Sequence, residues 1–305
     1  KLLRYLRKHD IRVVHAHKSS DMRVGALLVA IRPSLRLFFT DHMGVRKPKK
    51  DLYHRWAYSK LTRLFSISKA TYARNLKAFP LRKDKIQQLY YGIELSEYEA
   101  PISAEEREQI RSSLGVNPGA MAVALPGRIS PRKGHRVWIE SLRYAHEKKP
   151  DLNLKALVIG EAATSDIGPG SYFSELKALV AEAGLQSTVS FCGFREDLPR
   201  CLMAIDIVCI PSSDEAFGLS VLEAMAAGAV VVGSNSGAIP ELLGEGRGYL
   251  ADSDDVTQWG DSLIKIYSSW ELSQCLAMAG KEWVMRNFGM DRHIKSLSKE
   301  YKACI

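Results

Sequence analysis

No stretch of this 305-residue sequence is apolar for long enough to cross a bilayer; the longest runs, such as Val24–Ile31, are broken by charge or end at a proline. A secretory signal peptide is missing too, although the chain opens at Lys1 rather than methionine, which leaves open a targeting segment ahead of it. The five cysteines (Cys192, Cys201, Cys209, Cys275 and Cys304) show neither a Cys-x-x-Cys nor a His-rich spacing. That scatter argues against a disulfide framework and for reduced thiols in a cytoplasmic protein. There is no low-complexity tract and no internal repeat. The Gly-x4-Gly-Lys-Ser/Thr signature is absent, which excludes a P-loop nucleotide site. What remains is a composition of 46% hydrophobic and 25% charged residues, ordinary for a globular protein and long enough for two domains.

Charge is unevenly placed. Residues 1–100 hold 22 Lys and Arg against 8 Asp and Glu, a balance of +14, whereas the rest of the chain balances at −5. A basic half of this kind attracts an anionic surface: lipid headgroups, a phosphorylated acceptor or nucleic acid. Basic and aromatic residues alternate in Val45-Arg46-Lys47-Pro-Lys49-Lys50-Asp-Leu-Tyr-His-Arg55-Trp56, a segment suited to facing a membrane or an acceptor.

Short β-branched runs alternate with longer helical patterns, the rhythm of βαβ units around a parallel sheet. Strands are expected at Arg12–His15, Leu37–Thr40, Leu64–Ile67 and Ile86–Leu89, with helices over Asp51–Tyr58 and Lys69–Lys77. A linker with a short helix, Ala104–Leu114, follows. A second series of strands covers Met121–Pro126, Leu154–Ile159, Val189–Phe191, Ile207–Ile210, Val230–Ser234 and Gly248–Leu250. Between them lie helices over Val137–Lys148, Tyr172–Ala183, Leu219–Ala226 and Val256–Ser268, and Trp283–Tyr301 reads as a closing amphipathic helix. The expected division is a partial first domain with linker over 1–117, a complete doubly wound domain over 118–283, and a terminal helix over 284–305 that crosses back to the first domain.

The densest chemical signal is Pro211-Ser-Ser-Asp-Glu215-Ala-Phe217-Gly218-Leu219-Ser220-Val221-Leu-Glu223-Ala-Met-Ala-Ala-Gly228, a strand end, a loop and a helix opening near Gly218. In open α/β sheets ligands sit at the carboxyl ends of strands, beside helix N-termini. Bare N–H groups of Leu219, Ser220 and Val221 would suit a diphosphate. Glu215 and Glu223 make sense facing hydroxyls, because an ionised carboxylate only accepts and takes both protons of a vicinal diol. A second segment, Gly127-Arg128-Ile-Ser-Pro-Arg132-Lys133-Gly134, likewise joins a strand to a helix.

The Glu-x7-Glu segment from Glu215 to Glu223 resembles that of the GT4 retaining glycosyltransferases. The resemblance implies an α/β GT-B fold, two Rossmann-like doubly wound domains facing across a cleft, the N-terminal one incomplete here. It implies that Glu215 contacts the transferred sugar, Glu223 the ribose, and Arg128 and Lys133 the donor diphosphate. Gly127, Phe217, Gly218 and the amides after it join the donor site. Gly160 and the Gly193-Phe194-Arg195 loop line the nucleotide, the latter by its backbone. Ser234-Asn-Ser-Gly237-Ala-Ile-Pro240-Glu241 is similar to the family's Gly-x-Pro-Glu turn, with Glu241 structural. His42, after Thr40-Asp41, is placed beside the reacting sugar; His15 and His17 resemble a strand-end motif with an acceptor-side or packing role.

The implied reaction moves a sugar, with retention, from a nucleotide-diphosphate-sugar to a saccharide or lipid-linked acceptor, in lipopolysaccharide or surface-polysaccharide synthesis. No cofactor or metal is implied, as Arg128, Lys133 and helix N–H groups supply countercharge. No nucleic acid partner is expected, and the setting is the cytoplasm or the inner face of its membrane. One departure stands out: nothing before Arg12 matches the family's first strand and glycine-rich loop, so this 305-residue form is expected to have little or no transferase activity. Rival readings are a GT-B epimerase that needs no acceptor, a nucleotide-binding module without turnover, and a nucleic-acid binder with salt-sensitive affinity.

Overall fold

The computed structural model describes every residue except Arg46, Thr164, Ser165, Ile167, Pro169, Glu245 and Ile305. Arg46, part of the basic–aromatic segment, therefore lies outside the described residues. The chain forms two compact units, one of Lys1–Gly92 with Phe288–Ile305, the other of Ile93–Asn287.

The first unit runs α1 (Leu2–Lys8), β1 (Val13–Ala16), α2 (Met22–Ile31), β2 (Arg36–Asp41), α3 (Leu52–Ser59), β3 (Arg63–Ser66), α4 (Lys69–Ala78) and β4 (Ile86–Gln88). Its four strands pair in parallel in the order β1-β2-β3-β4, with Val14 opposite Leu37 and Phe39 opposite Leu64. Parallel neighbours need a crossover, and the helices supply it. Leu37, Phe39, Tyr58, Leu64 and Phe79 form the core. Helix α4 starts where it does because Ser68 and Thr71 cap each other: the Ser68 hydroxyl accepts from the Thr71 amide at 3.0 Å, and the Thr71 hydroxyl accepts from the Ser68 amide at 2.9 Å.

The second unit continues with α5 (Ser96–Glu99), α6 (Ala104–Ser113), β5 (Met121–Pro126), α7 (His135–Lys148), β6 (Leu154–Ile159), α8 (Tyr172–Glu182), β7 (Val189–Gly193) and α9 (Leu198–Ala204). Then come β8 (Ile207–Ile210), α10 (Leu219–Ala227), β9 (Val230–Ser234), α11 (Ile239–Leu243), β10 (Tyr249–Ala251), α12 (Val256–Ser268) and α13 (Trp270–Asn287). Six parallel strands lie in the order β10-β9-β8-β5-β6-β7. The chain leaves β5 toward β6 on one side and returns through β8 on the other, so the order reverses between β5 and β8. This is the switch point at which a doubly wound sheet opens a crevice. Trp138, Leu142 and Ile207, all fully buried, are among the side chains that close the core beneath it.

Two expectations are corrected. Residues 93–117 pack as part of the second unit, not the first. The reason is ionic: Asp206 accepts from Arg107 at 2.6 Å, from Arg111 at 2.9 Å and from the Ala122 amide at 2.7 Å, tying α6 to the sheet. The expected helix over Trp283–Tyr301 is broken at Phe288-Gly289 and resumes as α14 (Met290–Lys302), which belongs to the first unit. Phe288 is a buried anchor, and Gly92 approaches so closely that a Cβ there would lie 2.5 Å from the Met290 Cα. Glu300 of α14 accepts from Arg63 at 2.7 Å and from Gln87 at 2.8 Å. No described helix is long and apolar enough to cross a membrane.

The Asp206 cluster makes the first prediction. Arg111 is only 7% exposed, so Asp206→Ala strands a buried guanidinium. Urea unfolding should show a loss of about 3 kcal/mol, and a loss below about 1 kcal/mol would mean that the arginines find other acceptors.

Candidate functional site

The two chemistry-bearing loops leave the two strands that flank the switch point. After β5 the backbone turns at Gly127 and runs through Arg128 to a single 3-10 turn, Pro131–Lys133, before α7 begins. After β8 it runs from Pro211 to Gly218, where α10 begins. The loops are stitched together: the Ser213 amide donates to the Arg132 carbonyl at 3.0 Å. Gly134 has a φ of +74°, and a Cβ on it would sit 2.5 Å from the Pro211 carbonyl oxygen, so only glycine permits this approach.

That stitching sets Lys133 against Glu215, Nζ to Oε2 at 3.0 Å, with both side chains roughly three-quarters buried. A third loop braces the second. Asp214, a non-glycine residue at φ +59°, donates its amide to the Ser236 hydroxyl at 3.0 Å, and the Ala238 amide donates to the Glu215 carbonyl at 2.8 Å. The Ser234 hydroxyl donates to the Ser212 carbonyl at 2.6 Å. An αL conformation on aspartate costs energy and persists only where its surroundings hold it.

The helix opening differs from expectation in one respect. The Val221 amide is already taken, donating to the Gly218 carbonyl at 3.0 Å, because the first turn of α10 is tight. Among the described residues, Leu219 and Ser220 keep amides without a backbone acceptor. Phe217 points inward, 3% exposed, and Val221 is fully buried, so the side chains of both serve packing. One turn into α10, Glu223 is largely buried; burial first, and the carboxylate of Glu97 second, hold its carboxyl above the usual range. Burial, with Glu223 next, likewise raises the phenol of buried Tyr98. Glu97 and Tyr98 escaped the sequence reading, since α5 sits in what looked like a linker.

Five other residues of the expected site line one cavity of about 620 Å³: Gly127, Arg128, Gly160, Phe194 and Arg195. That volume suits a small-molecule site. Phe194 is 68% exposed, a free aromatic face. Arg128 is exposed and in no ion pair with a described residue. Arg195 is different: its guanidinium forks onto Asp197 at 2.7 and 2.6 Å, so its charge is locally matched.

In the first unit, β1 and β2 deliver three histidines to their carboxyl ends. His42 Nε2 lies 3.1 Å from His17 Nδ1, and its Nδ1 bonds to the Tyr91 hydroxyl. Burial, then proximity to His17, holds the His42 pKa below its ordinary value. His15 bonds to Thr40 at 2.8 Å and to Tyr301 of α14 at 2.5 Å, and burial pushes its pKa down to about 3. His15 is therefore a packing residue; neither its neighbour Tyr301 nor the partner of His42, Tyr91, was legible in sequence. Among the described residues, no group of three or more His, Cys, Asp or Glu side chains could hold a metal ion.

Comparison with known proteins places this geometry. Residues 106–283 match the model of the glycosyl transferases group 1 family, and residues 1–97 that of glycosyltransferase family 4. The chain belongs to the glycosyl transferases group 1 family. Among relatives, the lipopolysaccharide core biosynthesis mannosyltransferase LpsB of Rhizobium meliloti is 27% identical over 297 residues, 96% of this chain and 79% of that protein. The D-inositol 3-phosphate glycosyltransferase of Corynebacterium efficiens is 31% identical over 221 residues, 72% of this chain; the match spans about half (51%) of that protein's length. The structure of Anabaena Alr3699/HepE in complex with UDP superposes with a TM-score of 0.87 at 22% identity, covering 99% of this chain and 81% of that one. The fold is thus GT-B, as expected for the family.

Proposed function

We propose that the protein is a retaining glycosyltransferase that binds a nucleotide-diphosphate hexose in its second unit and transfers the sugar to a saccharide or lipid-linked acceptor. The observation that carries the reading is the Lys133–Glu215 pair at 3.0 Å beside the α10 N-terminus. The diphosphate takes the Leu219 and Ser220 amides, with Lys133 and Arg128 as countercharge; the sugar hydroxyls take Glu215, and the ribose takes Glu223. The nucleoside occupies the 620 Å³ cavity, where Phe194 offers a stacking face. As the glycosidic bond breaks, charge builds on the leaving diphosphate, and preplaced cations stabilise that charge more than they stabilise the ground state. Attack comes from the same face, the leaving diphosphate helping to take the acceptor proton. Relatives named for lipopolysaccharide core mannosyl transfer support a surface-polysaccharide role. Structures of Anabaena Alr3699/HepE with UDP and with UDP-glucose support a nucleotide-sugar donor.

Glu223 provides the test. Its folded carboxyl binds a proton at higher pH than its unfolded counterpart, so the native state holds more protons and loses stability as pH rises through that interval. Glu223→Gln removes this penalty and should be more stable than the parent at pH 7.5, with a flatter stability–pH profile. The amide keeps one acceptor where the carboxylate offered two, so calorimetric titration with UDP-, GDP- and ADP-hexoses should show the best ligand weakened about tenfold. Gained stability with unchanged affinity would remove Glu223 from the donor site.

A further inference from the structure

At the carboxyl ends of β1 and β2 the first unit holds its own cavity, of about 470 Å³. His17, Lys18, Asp41, His42, Lys47 and Lys49 are among the residues that line it. We infer that this cavity binds an acidic sugar, one carrying a carboxylate or phosphate beside free hydroxyls; the sugar part rests on the glycosyltransferase reading, the anionic part does not.

Unmatched lysines set the charge of this cavity. Lys18, Lys47 and Lys49 are in no ion pair with a described carboxylate, and Asp41 is the one acid among the lining residues. Three ammonium groups against one carboxylate leave a cationic excess of two around a small concave space. A surface lysine normally spreads into water, but three converging on one cavity focus a positive potential there. Two loops place them. Lys18 follows β1, and Lys47 and Lys49 follow the Met43–Val45 turn, where the Lys49 amide is fixed to the Ala78 carbonyl at 2.8 Å.

Asp41 supplies an acceptor for a ligand hydroxyl. It is 6% exposed; one carboxylate oxygen accepts weakly from the Met43 amide at 3.4 Å, and the other, Oδ2, is buried with no hydrogen-bond partner. A buried carboxylate oxygen is rarely left unpaired, and a ligand hydroxyl donating to it resolves the deficit. His42 is adjacent and, being held below its ordinary pKa, is uncharged at neutral pH. Its two ring nitrogens are already engaged by His17 and Tyr91, so the ligand hydroxyl falls to Asp41. The cavity thus has a cationic rim for the acid group and an acceptor floor for the ring.

The experiment titrates the full chain, at low salt, with methyl glucuronide, glucose 6-phosphate, neutral methyl glucoside and inorganic phosphate, followed by ligand-observed NMR. Either or both acidic sugars should bind more tightly than methyl glucoside by on the order of tenfold, and the stronger of the two identifies carboxylate or phosphate as the natural group. The triple variant Lys18→Ala/Lys47→Ala/Lys49→Ala, all surface changes that keep the core, should erase that preference. Asp41→Asn should weaken all three sugars and leave inorganic phosphate unaffected. Equal binding of acidic and neutral sugars, a preference that survives in the triple variant, or phosphate alone binding as tightly as glucose 6-phosphate would each overturn the proposal. Nucleotide titration of the same samples separates the two readings. Loss of nucleotide binding in the parent with the acidic-sugar preference intact would count against the glycosyltransferase assignment, not against this cavity.

Discussion

In a full-length form that supplies the family's first strand and glycine-rich loop, Lys133→Ala should lower sugar transfer by at least about a hundredfold while leaving the fold intact. The expected size follows from removing one preplaced charge that acts on a leaving group, an effect worth on the order of 10²–10³ in turnover when the charge is held in a partly desolvated site. Stability should barely move, because a part-exposed ion pair contributes only about 0–1 kcal/mol. The pair itself offers a sharper version. If Lys133 and Glu215 mattered only to each other, the double reversal Lys133→Glu/Glu215→Lys would restore both stability and turnover. On the present reading it restores the ion pair and leaves turnover abolished, since a carboxylate then faces the diphosphate and an ammonium the sugar. Nucleotide release from the best-binding nucleotide-hexose, with thermal unfolding on the same samples, separates these outcomes. Full activity in the double reversal would end the functional claim for this pair.

Much of this arrangement was legible because strand–loop–helix joints leave strong local marks. Met121–Pro126, Leu154–Ile159, Ile207–Ile210 and Val230–Ser234 appear as expected, since central parallel strands buried on both faces read as continuous apolar runs. The helix from Leu219 was legible from the glycines at its two ends, Gly218 and Gly228, both in the left-handed region. What stayed hidden depends on distant partners. The affiliation of 93–117 is decided by Asp206, about a hundred residues away, and a charged segment that looks like linker carries no local sign of it. Val221's amide was expected to be free because an ideal α-helix leaves it so, yet the first turn of α10 tightens onto Gly218. Arg195 was expected to line the nucleotide through its loop's backbone, and nothing in that expectation showed that Asp197, two residues on, takes up its guanidinium. The break at Phe288-Gly289 was missed because the amphipathic pattern continues across it, while the cause, the close approach of Gly92, lies elsewhere in the chain.

The loop after β9 shows how such long-range packing positions chemistry, and Gly237→Ala should expose it. Gly237 has a φ of +62°, and a Cβ there would lie 2.2 Å from the Glu215 carbonyl oxygen and 2.6 Å from its amide nitrogen. Neither atom belongs to a flexible side-chain tip, so the backbone of one loop must retreat. The left-handed conformation alone costs alanine about 1–2 kcal/mol. Displacing a packed loop adds to this, for a total of about 3 kcal/mol and a fall in melting temperature of roughly 6–12 °C. Retreat also breaks the Ala238-to-Glu215 hydrogen bond and the Ser236 clamp on Asp214, so Glu215 loses its register against Lys133. In the same full-length form, transfer should therefore fall by a hundredfold or so even at temperatures where the variant is fully folded, as about 1 Å of misplacement suffices for that. Gly119→Ala is the control. Gly119 has a φ of +77° but nothing within 4 Å of a built Cβ, in the turn that precedes β5 at the opposite end of the strand from the site. It should lose about 1–2 kcal/mol from conformation alone and keep its nucleotide affinity and its turnover. If the two variants lose activity equally, the contact between Gly237 and Glu215 is not what holds the acid in place.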